Sequence, residues 1–119
     1  MYKEKNNKAI NILGTKYNLV FVPEDNERLK KLGADGYADT TTKELCVAYF
    51  EPDDRSMADL DTYQRKVIRH EIIHAFFYES GLWNNSHDIT SWACDEEMVD
   101  WFAIQHSKIH KAFEDAGAL

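Results

Sequence analysis

The sequence has little cysteine, little proline and no long apolar segment. It contains only two prolines and two cysteines, Cys46 and Cys94, in 119 residues. The cysteines lie far apart and outside the spacing of a metal site, so we expect two reduced thiols, with a disulfide as the alternative. No apolar run approaches the about 18 residues that a membrane-spanning helix needs. We therefore expect no membrane partner.

Basic residues are also scarce. The chain carries 14 Lys and Arg residues against 21 Asp and Glu residues, for a formal net charge of -7. A protein that binds nucleic acid needs clustered positive charge to displace counterions from the phosphates. A small basic group at Arg28, Lys30 and Lys31 lies among acidic residues and is typical of a solvated helix face. The composition therefore predicts no nucleic-acid partner.

The first seven residues are polar and lack the apolar core of a secretory signal. We therefore expect a cytoplasmic location. Hydrophobic residues make up 44% of the chain, and its sequence shows neither repeats nor linkers. Because a chain of this length can bury one hydrophobic core, residues 1–119 are predicted to form a single domain. The sequence does not predict an oligomeric state.

The first half of the chain shows the alternation of apolar and polar residues that is typical of strands. Four strands are predicted, at residues 9–13, 17–22, 36–39 and 44–49. A charged segment at residues 24–32 predicts a short helix that ends at Gly33. The strands form two predicted hairpins, and together they predict a small, mostly antiparallel sheet.

The second half of the chain is predicted to be helical. Asp59 or Asp61 can cap a helix that continues to about Ser80. A polar loop follows, and a second helix is expected from Ser91 to about Lys111. The fold class is therefore α+β, with a small sheet followed by two helices.

The strongest chemical signal is the sequence His-Glu-Ile-Ile-His at residues 70–74, inside the first long helix. Residues four positions apart share a helix face, so His70 and His74 can direct their imidazole nitrogens at one ion. Zinc accepts two histidines and a carboxylate and keeps a position open for water. Glu71, offset by one residue, is predicted to act as the general base for that water. The alternative is an accidental match on a helix surface.

A site with two histidines needs a third protein ligand, and the acidic residues 95–100 offer one. Glu96 is the predicted ligand because Asp100 follows one turn later on the same helix face. From there Asp100 can accept a hydrogen bond from the outer N–H of a histidine ligand. Glu97 is the alternative ligand, although the residue one turn after it is Trp101 rather than a carboxylate.

With the motif at residues 70–74 followed by Glu96, Asp100, Phe102 and Ala103, the chain resembles the ImmA/IrrE family of metallopeptidases. More narrowly, it resembles the short, stand-alone members that phages and prophages carry. That family combines H-E-x-x-H with a later E-x-x-x-N-x-F-A motif on a small sheet followed by an active-site helix and a ligand-bearing helix. The resemblance implies a zincin-like minigluzincin fold, bound Zn²⁺ and hydrolysis of a protein or peptide substrate.

The chain departs from that family in two respects. Asp100 stands where the family commonly has asparagine, which is closer to the thermolysin-like pattern and favours its predicted contact with a histidine. The chain also shows no helix-turn-helix or separate regulatory domain, so the resemblance implies a bare catalytic core. Two alternative functions remain: a zinc-binding phage or prophage interaction protein with little or no turnover, and a structural protein without metal.

Three further features have candidate roles. His87, in the predicted loop between the helices, is a candidate for stabilising an oxyanion, with an exposed loop histidine as the alternative. The strand at residues 45–49 is the candidate edge strand for pairing with an extended substrate, with an ordinary buried strand as the alternative. His106 and His110 are better explained by favourable charge near a helix C-terminus than by a second metal site.

Overall fold

The alternating residues of the first half form a four-stranded sheet. The computed structural model describes residues 7–50, 59–83 and 95–119. The strands are β1 (Lys8–Ile12), β2 (Thr15–Pro23), β3 (Gly36–Asp39) and β4 (Glu44–Tyr49), and the short helix α1 (Glu27–Leu32) lies between β2 and β3. These five predicted elements are confirmed. Helix α1 begins at residue 27 rather than 24 because the Asn26 side chain accepts hydrogen bonds from the backbone N–H groups of Arg28 and Leu29.

The strands lie in the order β1-β2-β4-β3, and the central pairing differs from the prediction. The outer pairs, β1 with β2 and β3 with β4, are antiparallel, but β2 and β4 are parallel. The chain leaves β2 through α1 and forms β3 at the far side of the sheet, and β4 then returns between them. The sheet is therefore mixed. The proposal that residues 45–49 form an edge strand is wrong, because β4 is central and the edge strands are β1 and β3.

Each face of the sheet packs against a helix. Two long helices follow the sheet, α2 (Leu60–Glu79) and α3 (Glu96–Asp115). One face contributes Leu45 and Val47 to the same buried cluster as Val67 and Ala75 of α2. The opposite face packs on α1 and the start of α2, through a cluster of Leu29, Ala48, Phe50 and Leu60. Because successive strand residues point to opposite faces, β4 is buried on both sides and α2 is held across the sheet.

Capping residues set the ends of the long helices. Asp59 caps α2 by accepting a hydrogen bond from Thr62 N, as predicted. Helix α3 begins at Glu96 rather than near Ser91, because Asp95 has extended backbone and its side chain accepts from Met98 N. Ser91 itself lies outside the described residues. Among the helices that the structure describes, none combines the length and apolar character needed to cross a membrane.

Glu79, the last residue of α2, ties that helix to the sheet. Its carboxylate accepts hydrogen bonds from Thr15 Oγ1 at 3.0 Å and Tyr17 OH at 2.7 Å. It also pairs with Lys43 Nζ at 2.9 Å. The hydrogen bond from Lys43 is the largest of the interactions that lower the pKa of Glu79. One carboxylate thus connects the two hairpins of the sheet to the end of α2.

Replacing Glu79 by glutamine is expected to lower the free energy of unfolding by about 2 kcal/mol at neutral pH, because it weakens hydrogen bonds to a charged group. The folded pKa lies below the ordinary value of 4.5, so this stability is present above pH 4.5 and is lost as pH falls through the folded pKa. Urea unfolding of both proteins at neutral and at acid pH measures the difference. Glu114→Gln, on the exposed side of α3, is the control, and a Glu79 effect independent of pH would contradict the assignment.

Candidate metal centre

The two histidines of α2 and one carboxylate of α3 converge where the helices meet. His70 Nε2 and His74 Nε2 are 3.1 Å apart, as expected for residues one turn apart on a helix face. Glu96 reaches both of them, with Oε2 at 3.1 Å from His70 Nε2 and Oε1 at 2.9 Å from His74 Nε2. The structure therefore brings together the three predicted ligands.

This arrangement fits a small divalent cation. Zinc in a tetrahedral site has bonds of about 2.0–2.1 Å, which places neighbouring ligand atoms about 3.3 Å apart. One ligand atom from each of His70, His74 and Glu96 lies within 4.8 Å of the other two, and the shortest separations are close to the tetrahedral value. Two imidazoles and a carboxylate are also a donor set that catalytic zinc uses. Among the described residues, this is the single group of at least three potential ligands that could hold a metal ion.

The neighbouring acid does not join the group. Glu97 is exposed and lines a different surface depression, together with Asp95 and Trp101. Glu96 and Glu97 both belong to the first turn of α3, where the positive end of the helix dipole stabilises carboxylates. The rotation of the helix between them turns Glu96 towards α2. The structure therefore favours Glu96 over the alternative ligand.

Asp100 contacts Nδ1 of His70, the ring nitrogen that points away from Glu96. Its Oδ1 lies 3.2 Å from His70 Nδ1 and 2.6 Å from Lys66 Nζ. Burial opposes ionisation of Asp100, but the hydrogen bonds from Lys66 and His70 outweigh it and lower its pKa. An ionised Asp100 accepts a hydrogen bond from the Nδ1–H group of His70, and this tautomer leaves His70 Nε2 free to bind a cation. The predicted partnership of Asp100 with a histidine ligand is consistent with this geometry.

Lys66 is a residue of the site that sequence reasoning missed. It lies one turn before His70 on the same face of α2, and its side chain is 29% exposed. The signal that could have identified it is a lysine four residues before a predicted histidine ligand, with an aspartate expected nearby. Lys66 balances part of the negative charge that Glu71, Glu96 and Asp100 bring to the site.

Glu71 is buried at the base of the site. It is 5% exposed, and burial followed by the charge of Glu96 raises its pKa to about 8, while Lys66 acts in the opposite direction. A divalent cation held by the neighbouring ligands favours the ionised form and lowers the pKa. A carboxyl group with a pKa in this range can both accept and return a proton near neutral pH. The role of Glu71 as general base stays a prediction.

A cleft of about 490 Å³ runs between α2 and the edge strand β3. His70, Glu71, His74 and Glu96 all line it. Trp83 forms part of its wall, with its ring centre 5.9 Å from that of His74. The cleft is therefore large enough for a segment of peptide to reach the candidate ligands.

Among the described strands, the edge strand β3 has backbone hydrogen-bonding groups that point away from the sheet. The backbone N–H of Ala48 donates to Asp35 O, and Gly36 is paired in register with Val47. Hydrogen-bonded and non-hydrogen-bonded pairs alternate along an antiparallel ladder, so the N–H and C=O groups of Gly36 and Ala38 point away from β4. Both residues line the cleft.

The remaining candidate residues either lie away from the candidate metal centre or belong to segments that the structure does not describe. His87 and Cys94 lie outside the described residues, so the predicted oxyanion role of His87 stays a prediction. Cys46 is a free, buried thiol in β4. His106 and His110 are exposed on α3, and His110 Nε2 lies 3.6 Å from Glu114 Oε1. In the described chain these two histidines belong to no group of metal ligands.

Comparisons of the chain with protein-family models, with curated proteins and with solved structures give no match. A function for this chain is therefore argued from the arrangement of its own side chains.

Proposed function

We propose that the chain is a zinc-dependent peptidase of the H-E-x-x-H gluzincin type. His70, His74 and Glu96 would hold the zinc ion, and Glu71 would serve as general base in the hydrolysis of a protein or peptide substrate. The observation that carries this proposal is the convergence of three ligand atoms beside a buried carboxylate, in a cleft bordered by an edge strand.

Zinc in such a site polarises the carbonyl of the substrate and makes a water molecule more acidic. Glu71 takes a proton from the attacking water and then donates it to the nitrogen of the leaving amine. Burial raises the pKa of Glu71 and a bound cation would lower it, so the two effects oppose each other at the carboxylate that exchanges the proton. Asp100 holds the His70 ring with Nε2 towards Glu96, so that the ligands are oriented before a substrate binds.

The substrate would bind in an extended form along β3. The outward N–H and C=O groups of Gly36 and Ala38 can pair with a peptide backbone, which adds a strand to the sheet beside the ligands. In this mode of binding the enzyme contacts the backbone of the substrate more than its side chains. The order of a small sheet, α2 and α3 supports a minigluzincin fold of the kind that the resemblance implies, and we propose a cytoplasmic location for the enzyme.

The proposal is tested with full-length protein purified without a histidine tag. We expect about one zinc ion per chain by elemental analysis, because a site of two histidines and a carboxylate binds zinc tightly. Unfolded protein substrates should be cleaved, cleavage should stop after chelation, and added zinc should restore it. Fewer than about 0.2 zinc ions per chain after zinc addition would contradict the metal site. Stoichiometric zinc without any cleavage would favour the zinc-binding interaction protein.

A further inference from the structure

Hydrogen bonds do not explain what orients the carboxylate of Glu71. The side chain is 5% exposed, and its carboxylate makes no hydrogen bond to another described residue. A general base must nevertheless be held within a fraction of an ångström of its working position. Within residues 7–50, 59–83 and 95–119, packing is what positions the Glu71 carboxylate.

Gly36 of β3 is the residue against which it packs. A Cβ atom at Gly36 would lie 3.1 Å from Glu71 Oε2 and 3.0 Å from Val67 Cγ1. It would also lie 2.9 Å from the backbone oxygen of Cys46, a distance that real Cβ contacts essentially never show. Gly36 has no positive φ, in contrast to the glycines of the turns such as Gly14. The sequence therefore needs glycine at this position for space, and not for backbone conformation.

We propose that Gly36 is a positioning residue for Glu71, because the missing side chain gives the carboxylate its place directly against the edge strand. This inference rests on the proposed function. The same strand offers the outward backbone groups of Gly36 and Ala38 to the substrate, so β3 sets the distance between the base and the bond to be cleaved. A methyl group at Gly36 displaces the Glu71 carboxylate because the Cys46 carbonyl belongs to the central strand and cannot move aside.

The test compares the zinc-loaded protein with its Gly36→Ala variant. We expect kcat to fall about tenfold, because a carboxylate oxygen at 3.1 Å from the new Cβ must move by a few tenths of an ångström, less than the misplacement of about 1 Å that costs about 100-fold. KM and the zinc affinity, measured by competition with a chelator, should change little. Crystal structures should show the Glu71 carboxylate displaced, with His70 and His74 in place. An unmoved carboxylate, or an unchanged kcat, would overturn the proposal.

A matched control separates positioning from stability. Val47 is the register partner of Gly36 in β4 and is fully buried, and it does not line the cleft. Val47→Ala should lower the melting temperature at least as much as Gly36→Ala, because it leaves a cavity in the core. Its kcat should stay within about twofold of the parent. An equal loss of kcat in both variants would show that Gly36 acts through stability alone and would overturn the proposal.

Two double variants test whether Gly36→Ala acts through the position of Glu71. In Gly36→Ala/Val67→Ala the 3.0 Å contact is relieved while the contacts with Cys46 O and Glu71 remain, so kcat should not recover. In a Glu71→Gln background, Gly36→Ala should cause no further loss of the residual rate, because two changes that act through one group are not additive. A multiplied loss would overturn the proposal. If the parent protein cleaves no substrate, the proposed function fails, whereas the crystal structures still decide whether Gly36 positions Glu71.

Discussion

Replacing Glu71 by glutamine is expected to lower the rate of peptide hydrolysis about 1,000-fold, within the range that general base catalysis contributes. Glutamine has nearly the same shape as glutamate but cannot take a proton from water. The three residues that converge on the metal site, His70, His74 and Glu96, are unchanged, so bound zinc should stay at the parent level. Steady-state kinetics and elemental analysis of the same preparation measure both quantities. A rate within about tenfold of the parent would contradict the role of Glu71.

The same variant also has an expected effect on the metal-free protein. Burial and Glu96 raise the folded pKa of Glu71 to about 8 from an ordinary value of 4.5. A carboxyl group with a raised pKa stabilises the fold below its unfolded pKa, and this contribution is lost as pH rises through the folded value. The metal-free parent should therefore lose stability between pH 4.5 and about 8, and Glu71→Gln should lose less. Thermal unfolding across this range in the presence of a chelator measures the difference.

Glu71→Gln further separates the two classes of function. An enzyme loses activity and keeps its zinc, because only the proton transfer is removed. A zinc-binding interaction protein is indifferent to the change, because its partner recognises the folded surface and not the buried carboxylate. Retained partner binding together with zero turnover in the parent would assign the chain to the second class.

Replacing Glu96 by alanine is expected to weaken zinc binding by more than about 100-fold. Removing a residue that only orients a ligand lowers metal affinity by about 10- to 100-fold, and losing a ligand should lower it further. Glu96 Oε1 and Oε2 lie 2.9 and 3.1 Å from the two histidine nitrogens, so the variant would lose one of the three proposed ligands. The Glu96 side chain is 70% exposed, and its loss should change the folding of the metal-free protein little. Chelator competition measures the affinity, and hydrolysis should fall with zinc occupancy.

The adjacent residue provides the matched control. Glu97→Ala removes the same charge from the same helical turn, and it should leave zinc affinity and rate within about twofold of the parent, as for an exposed substitution. A larger effect of Glu97→Ala than of Glu96→Ala would show that the other carboxylate is the ligand. Equal, small effects of both would contradict a three-residue metal site.

Much of the local structure could be predicted from sequence because it depends on local patterns. Alternation of apolar and polar residues marks β1 and β2, two short segments across a turn mark β3 and β4, and Asp59 marks the start of α2. The predicted start of α3 was wrong. Ser91 and Asp95 are both good capping residues, and the local sequence does not show which of them caps the helix. The pairing of β2 with β4 was missed because it joins segments that are distant in the chain, and periodicity carries no information about neighbours in a sheet.

The residues of the candidate site also fall into those that local sequence predicted and those that it missed. His70 and His74 were predicted because helical spacing alone places them on one face, and Glu71 because its offset follows from the same geometry. Lys66 and Gly36 were missed because their roles depend on contacts with α3 and with α2 respectively. Neither residue belongs to a motif.

The sequence by itself therefore determined the elements and the chemistry that one helix can offer: two imidazoles and a carboxylate at residues 70–74. Only the tertiary structure decided which acid of α3 meets them, which strand borders the cleft and what holds Glu71. The physical reason is that helix spacing is a local property of the backbone, whereas the approach of Glu96 and Gly36 to α2 depends on how buried side chains pack between distant segments.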